Sequence, residues 1–141
     1  MDDPVVVHLA PDRLDAEGLM DAMDLEGCGA IASFLGVTRS MEAGERVLRL
    51  EFDAWLERLE PVLRDLGYEA IERFGVRTVG LSHRTGEVPS GDRIVAIHVG
   101  AAHRAEAFDA CEWLIDELKR QAPLWKKEVT ESGTRWKEGL G

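Results

Sequence analysis

The chain has 141 residues, 45% of them hydrophobic and 31% charged, which is the size and composition of one globular domain. We therefore predict a single domain over residues 1–141. With 27 acidic residues against 17 basic ones, the net charge of −10 argues against general binding to a nucleic-acid backbone.

The first third of the chain predicts short, mostly apolar elements. Residues 5–9 are rich in β-branched side chains and predict a strand. Asp15 is placed to cap a short helix that runs to about residue 23. The apolar run 29–37 is too short for a typical helix and predicts a buried strand. The polar residues 39–45 that follow predict an exposed loop.

Three further strands are predicted in the middle of the chain. Residues 46–53 alternate between apolar and charged side chains, which indicates a half-buried strand. The side chains expected on its buried face are Leu48, Leu50 and Phe52. Residues 76–83 and 93–99 predict two more strands, joined by a segment rich in glycine and proline that we interpret as turns.

Two helices are predicted from apolar spacing of three and four residues. Residues 59–74 form one apolar stripe, which Pro61 and Gly67 interrupt, so that a separate turn at its start remains open. Gly75 is well placed to end this helix. Residues 104–121 predict the second helix. Its expected buried stripe consists of Phe108, Cys111, Ile115 and Leu118.

The C-terminal segment predicts a β-hairpin. Pro123 stops the second helix, because a proline disfavours helical backbone in the residue before it. Residues 125–129 and 134–136 flank the turn at Ser132-Gly133 and predict two paired strands. Because strands and helices do not alternate strictly, we expect an α+β fold with an antiparallel or mixed sheet, two main helices and this hairpin.

A glycine-rich segment suggests a nucleotide-binding domain but lacks the required context. The residues Gly27-Cys28-Gly29-Ala30-Ile31-Ala32 fit a G-x-G-x-x-A pattern, and Glu51 follows at a suitable distance. A predicted helix precedes this pattern and a strand follows it, which reverses the order of a dinucleotide site. No histidine or cysteine has metal-ligand spacing, and Cys111 falls on the core stripe. We predict neither a metal nor another cofactor.

The termini and cysteines bear on location. The acidic start at residues 1–4 lacks the positive and then apolar pattern of a signal peptide, and no apolar run approaches the roughly 20 residues that span a bilayer. Cys28 and Cys111 form no disulfide framework. We expect a cytoplasmic protein with reduced thiols and no membrane contact.

Basic residues are distributed unevenly. Thirteen are arginines, while all four lysines lie in the last quarter of the chain, where Lys119 and Lys126 flank the Pro123 bend. Lysine differs from arginine because it can lose its proton and act as a base or nucleophile. His103 and Arg104 lie where a strand meets a helix N-terminus, a place suited to an anion. Together with Arg39, which follows a strand, these residues predict one basic pocket for a small anionic substrate.

The segments that carry these residues resemble a known family, the large subunit of molybdopterin synthase (the MoaE family). The segments are Gly29-Ala30-Ile31 through Phe34-Leu35-Gly36-Val37-Thr38-Arg39, His83-Arg84-Thr85-Gly86-Glu87, Ala102-His103-Arg104 with Ala107-Phe108, and Leu118-Lys119 through Ala122-Pro123-Leu124-Trp125-Lys126-Lys127-Glu128. The resemblance extends from the first strand to Trp136. The loop Ser40-Met41-Glu42-Ala43 departs from the family pattern because it carries an acid.

The resemblance implies a fold, an activity and partners. It implies an α/β-hammerhead fold and a homodimer that forms the core of a heterotetramer. The expected partner is a ubiquitin-like small subunit whose C-terminal Gly-Gly carries a thiocarboxylate. The implied enzyme is a sulfurtransferase of molybdenum cofactor biosynthesis, which converts cyclic pyranopterin monophosphate to molybdopterin by inserting two dithiolene sulfurs.

The resemblance also implies roles for individual residues. It makes Lys119 and Lys126 the catalytic pair. Substrate binding is implied for Val37, Thr38, Arg39, His103, Arg104, Lys127 and Glu128. An alternative function is a module that binds the pterin or the ubiquitin-like partner without turnover. The two lysines favour the enzyme, because binding alone requires positive charge but not lysine.

Overall fold

The computed structural model describes residues 3–137 and Leu140. The described residues do not include 1, 2, 138, 139 and 141. Parts of the single-domain and signal-peptide predictions fall on these positions. The elements in chain order are β1 Val5–Ala10, α1 Ala16–Asp21, β2 Ala30–Val37, β3 Met41–Glu42, β4 Glu45–Ala54, α2 Leu56–Phe74, β5 Thr78–Arg84, β6 Gly86–Pro89, β7 Arg93–Ala101, α3 Arg104–Gln121, β8 Leu124–Thr130 and β9 Gly133–Trp136. The predicted α+β class, mixed sheet and C-terminal hairpin are confirmed.

A four-stranded sheet in the order β1-β5-β7-β2 forms the centre of the fold. β1 and β5 are parallel, and the other two pairings are antiparallel. Helices α2 and α3 cover one face of this sheet, where strands β5 and β7 bury alternate side chains such as Leu81 and Ile97. The short helix α1 covers the opposite face, where Leu19 packs over Gly80.

Helix α2 runs without a break from Leu56 to Phe74, so its start is part of the helix and not a separate turn. Pro61 removes one intrahelical hydrogen bond, but the fully buried Leu59 and Leu63 hold the helix against the sheet. Gly67 allows a close approach, because a Cβ atom there would lie 2.5 Å from Cγ1 of Val5. Gly75 ends the helix in the left-handed conformation, at φ 70°, as predicted.

A second sheet contains β3, β4, β8 and β9 in that order, with β6 also paired to β4. Two sequence predictions were wrong here. The segment 39–45 is not simply a loop, because β3 pairs with the start of β4 around a tight turn. The segment between β5 and β7 contains β6, which pairs with β4 over Arg49–Phe52. Both strands are short, so their pairing depends on the partner strand and not on their own sequence pattern.

Several residues predicted to be buried are exposed. Strand β2, predicted as a buried strand, exposes Ile31, Leu35 and Val37 by 42%, 40% and 51%, because it lies at the edge of its sheet, and the predicted core residues Leu48 and Phe108 are exposed as well. Leu48 is 43% exposed while Val47 is buried, because the pairing of β4 with β8 shifts between Val47 and Arg49. Such a bulge adds one residue and moves the following side chains to the other face. Phe108 is 64% exposed, and α3 instead buries its neighbours Ala107 and Ala110 against the sheet.

Helix α3 spans Arg104–Gln121, the same residues as predicted, and β8 and β9 form the predicted hairpin. At its C-terminal end, α3 leads through Pro123 directly into β8. This connection places the last turn of α3, a helix that packs on the four-stranded sheet, next to the second sheet. Among the described residues, no helix combines the length and apolar character needed to span a membrane.

Candidate active site

A cavity of about 330 Å³ lies where β2, β4, β8 and the end of α3 meet. Its walls are largely apolar, because these elements also contribute to the hydrophobic core. The main apolar lining residues are Phe34, Val47, Leu50, Phe52, Ile115 and Leu118. Ligand sites in proteins commonly combine such an apolar lining with a few placed polar groups.

Four cationic side chains border this cavity: Arg39, Lys119, Lys126 and Lys137. Arg39 follows the end of β2, Lys119 lies in the last turn of α3, and Lys126 is on β8. Three of the four lysines of the chain therefore meet at one cavity. On a chain with a net charge of −10, this concentration creates a local site for an anion.

The amine of Lys126 lies in a partly buried environment among other positive charges. Burial lowers the pKa of its amine below the ordinary value of 10.5, and the positive charges of Lys137, Arg39 and Lys119 lower it further, while Glu128 acts in the opposite direction. The Nζ atom donates a hydrogen bond to the main-chain carbonyl of Leu140 at 3.4 Å. The lowered pKa increases the fraction of neutral amine, which is the form that acts as a base or nucleophile.

Arg39 faces an acid of its own loop. Its Nε atom lies 3.4 Å from Oε2 of Glu42, which also borders the cavity. The turn between β3 and β4, in which Ala43 and Gly44 have positive φ, brings Glu42 back towards Arg39. The Arg39 side chain is 72% exposed, so this pair is weak and leaves the guanidinium available to an incoming anion.

Glu128 borders the cavity and links the two strands of the C-terminal hairpin. Its side chain is 5% exposed and accepts hydrogen bonds from Arg135 at 2.6 and 3.0 Å. Its other carboxylate oxygen lies 3.7 Å from Nζ of Lys137. This carboxylate therefore holds Lys137 on the same side of the hairpin as Lys126.

Thr38 contributes a hydroxyl group without a partner. The side chain borders the cavity and is buried, yet its Oγ1 atom forms no hydrogen bond with any described residue. A register shift between Gly36 and Val37, at the end of β2, precedes it. Buried polar atoms are normally paired, so this hydroxyl is a natural contact for a bound molecule.

The structure brings some, but not all, of the predicted site residues together. Val37, Thr38, Arg39, Lys119, Lys126 and Glu128 border the cavity. Lys127 does not, because strand alternation turns it to the other face of β8, where it pairs with Glu51 at 3.2 Å and lies 5.3 Å from the Trp136 ring centroid.

His103 and Arg104 lie at the opposite end of α3 from Lys119. Lys119 lies fifteen positions after Arg104, which corresponds to about 22 Å along a helix. The His103 side chain is 82% exposed, and its Nδ1 atom lies 3.7 Å from Glu106. The prediction that all five cations form one pocket is therefore not met within a single chain.

Three polar residues at the cavity were missed as site residues from sequence: Glu42, His83 and Lys137. The clustering of lysines in the last quarter was a signal for Lys137, and the acid in the 40–43 loop was one for Glu42. His83 belongs to a segment that carries the family resemblance, although nothing in its spacing indicated that it borders a cavity.

Comparison with known proteins gives a consistent result. The family model described as MoaE protein matches residues 9–121. A relative in Arabidopsis thaliana named molybdopterin synthase catalytic subunit is 39% identical over 126 residues, which are 89% of this chain and 64% of that protein. A relative of the same name in Pyrococcus abyssi is 35% identical over 129 residues, covering 92% and 87% of the two chains.

Solved structures agree with these matches. The crystal structure of molybdopterin synthase from Staphylococcus aureus aligns with a TM-score of 0.87 at 29% identity, covering 92% of this chain and 95% of that one. The chain spans less than two thirds of the length of the Arabidopsis relative, but nearly the whole of the Staphylococcus chain.

Proposed function

This chain belongs to the MoaE protein family, and on that basis we propose that it is the catalytic subunit of a molybdopterin synthase. In this proposal it transfers two sulfurs to cyclic pyranopterin monophosphate. The sulfurs come from the thiocarboxylate at the C-terminal Gly-Gly of a ubiquitin-like small subunit. The observation that carries the proposal is the Lys126 amine, held with a lowered pKa in a cavity bordered by three further cations.

The cavity suits the proposed substrate in both shape and charge. Its apolar walls can pack against the faces of a fused heterocycle, and Arg39 and Lys119 at its border attract the phosphate. Each charge-assisted hydrogen bond to such an anion is worth roughly 1.5–3 kcal/mol. The unpaired hydroxyl of Thr38 offers a further hydrogen bond to the bound molecule.

Lys126 and Lys119 have different surroundings, and we assign them different roles. Lys126 has the lowered pKa, so its neutral amine serves as the base or nucleophile in sulfur transfer. Lys119 is exposed at the end of α3 and acts as a charge that holds the anionic substrate and the thiocarboxylate. Both roles require the amines to lie near the same bound molecule.

His103 and Arg104 fit the proposal only as residues of a second copy. Arg104 lies about 22 Å from Lys119 along α3, and His103 lies one residue further away, so neither reaches the cavity of its own chain. In the proposed homodimer, the N-terminal end of α3 from one copy completes the site of the other. The free N–H groups at a helix N-terminus favour a phosphate there.

The alternative is a module that binds the pterin or the ubiquitin-like protein without turnover. Binding an anion requires positive charge, which arginine supplies as well as lysine. A buried amine with a lowered pKa is weaker in this role, because it is less fully charged. The surroundings of Lys126 therefore favour catalysis.

The direct test mixes the purified chain with a thiocarboxylated small subunit and cyclic pyranopterin monophosphate and measures the dithiolene product. We expect product from the unchanged chain and a loss of at least about 100-fold for Lys126→Gln. Arg120→Gln is the matched control, because Arg120 is exposed and paired with Glu117. Lys126→Arg keeps the charge but not the reactive amine, so full product formation by this variant contradicts the catalytic role of Lys126, whereas absence of product from the unchanged chain contradicts the enzyme.

A further inference from the structure

His83 is a buried cavity residue to which the proposed function gives no role. It lies on β5, is 2% exposed, and borders the cavity beside Lys126. Its ring packs edge-on against Phe52, with centroids 5.2 Å apart and planes at 84°. The contact with Phe52, which lies on β4 of the other sheet, thus limits the orientation of the ring.

One hydrogen bond defines which ring nitrogen carries the proton. Nδ1 of His83 lies 2.7 Å from the main-chain oxygen of Arg84. A carbonyl oxygen only accepts hydrogen bonds, so Nδ1 is the donor and carries the hydrogen. In the neutral ring, Nε2 then has an unshared electron pair, and no described residue donates a hydrogen bond to it.

The ring is neutral around pH 7. Burial lowers the pKa of His83 to about 4, and the charge of Lys126 contributes in the same direction, while the bond to Arg84 opposes both. Within the part of the chain that the structure describes, the other charged groups that border the cavity are Arg39, Glu42, Lys119, Glu128 and Lys137. His83 therefore adds an uncharged acceptor to a cavity whose ammonium and guanidinium groups, while charged, only donate hydrogen bonds.

We propose that Nε2 of His83 accepts a hydrogen bond from an N–H or O–H group of the bound substrate and so sets its orientation in the cavity. This inference rests on the proposed function and adds a specificity-determining residue to it. Among the described residues, each of the two carboxylates at the cavity faces a cation, Glu42 facing Arg39 at 3.4 Å and Glu128 facing Arg135 at 2.6 Å. A neutral acceptor favours a heterocycle that presents a hydrogen-bond donor at its edge. A phosphate ester without such a donor forms no hydrogen bond with Nε2.

Two substitutions separate the two ring nitrogens. The amide of His83→Asn lies near the position of Nδ1 and keeps the bond to Arg84, but places nothing at Nε2. The longer His83→Gln reaches the position of Nε2 with an oxygen that accepts. We expect KM for the pterin substrate to rise about 10-fold in His83→Asn and less than 3-fold in His83→Gln, with kcat and KM for the thiocarboxylated partner little changed.

Equal losses in both variants, or an unchanged KM in His83→Asn, would overturn the inference. A second measurement applies if the variants do not fold: the ¹⁵N resonance of Nε2 in the unchanged, histidine-labelled protein should move upfield when the substrate binds. An Nε2 resonance that does not respond, in a protein that still makes product, rejects this role and leaves the proposed function intact. Absence of product from the unchanged protein instead rejects the proposed function.

Discussion

Lys126 and Lys127 are neighbours in the chain but lie on opposite faces of β8. Lys126 borders the cavity and has a lowered pKa, whereas Lys127 pairs with Glu51 at 3.2 Å. The same charge on adjacent residues thus has two different environments, one partly desolvated among cations and the other next to a carboxylate. The difference follows from strand geometry, in which successive side chains alternate.

This difference predicts the titration of Lys126. Its pKa should lie below 10.5, and Lys137→Gln should raise it, because the substitution removes a nearby positive charge. NMR titration of isotope-labelled lysine side chains measures both values. Lys127→Gln is the control and should leave the Lys126 titration almost unchanged. A pKa of 10.5 or higher would mean that burial and neighbouring cations do not act on this amine.

Glu42 should weaken anion binding at the cavity, because its carboxylate competes for Arg39 at 3.4 Å. Glu42→Gln should tighten the binding of inorganic phosphate by roughly 2- to 5-fold, in line with a surface ion pair worth less than about 1 kcal/mol. Isothermal titration calorimetry measures this affinity. Asp65→Asn removes the same charge from an exposed position on α2 and should have little effect. Equal tightening in both variants would point to net charge alone.

Gly67 should be required for the packing of α2 on β1. An alanine would improve helix propensity by up to about 1 kcal/mol, but its Cβ atom would lie 2.5 Å from Cγ1 of Val5. We expect Gly67→Ala to lower the free energy of unfolding by about 1–3 kcal/mol, as overpacking usually does. Urea denaturation measures the change. Adding Val5→Ala should recover part of the loss, and simple additivity of the two changes would contradict the clash.

His83 should make stability depend on pH. Its folded-state pKa is about 4, against 6.5 for an exposed histidine, so only the unfolded chain binds this proton between those values. The free energy of unfolding is therefore highest above pH 6.5 and falls as the pH decreases towards 4, by up to about 3 kcal/mol from this residue. Urea denaturation from pH 4.5 to 7 should show a shallower decline for His83→Asn than for the unchanged protein. Parallel curves would show that the ring is not buried in its neutral form.

The elements whose stabilisation is local were predictable from sequence. The bounds of α3 follow from an apolar stripe that ends before Pro123, and Gly75 ends α2 because it adopts the left-handed conformation at low cost. Pairing between distant strands was harder to predict. Neither β6 nor the bulge beside Leu48 has a local signal, because each depends on how β4 meets other strands.

The candidate site likewise contains residues that were predictable from sequence and one, Lys137, whose position depends on strand pairing. Family resemblance indicated Arg39, Lys119 and Lys126, which border the cavity. Lys137 reaches it through the hairpin, where its main-chain N–H donates to the carbonyl of Lys126 at 2.9 Å. A pairing between residues eleven positions apart depends on the register of β8 and β9, and apolar spacing carries no information about that register.

Helix α3 also constrains how this chain can vary in length. Each added or deleted residue turns the rest of a helix by about 100° and shifts it by about 1.5 Å. A single insertion within Arg104–Gln121 would therefore turn Lys119 away from the cavity even though much of the helix surface is solvated. Relatives that keep this chemistry should accept many substitutions on the outer face of α3, but no change in the number of residues between its two ends.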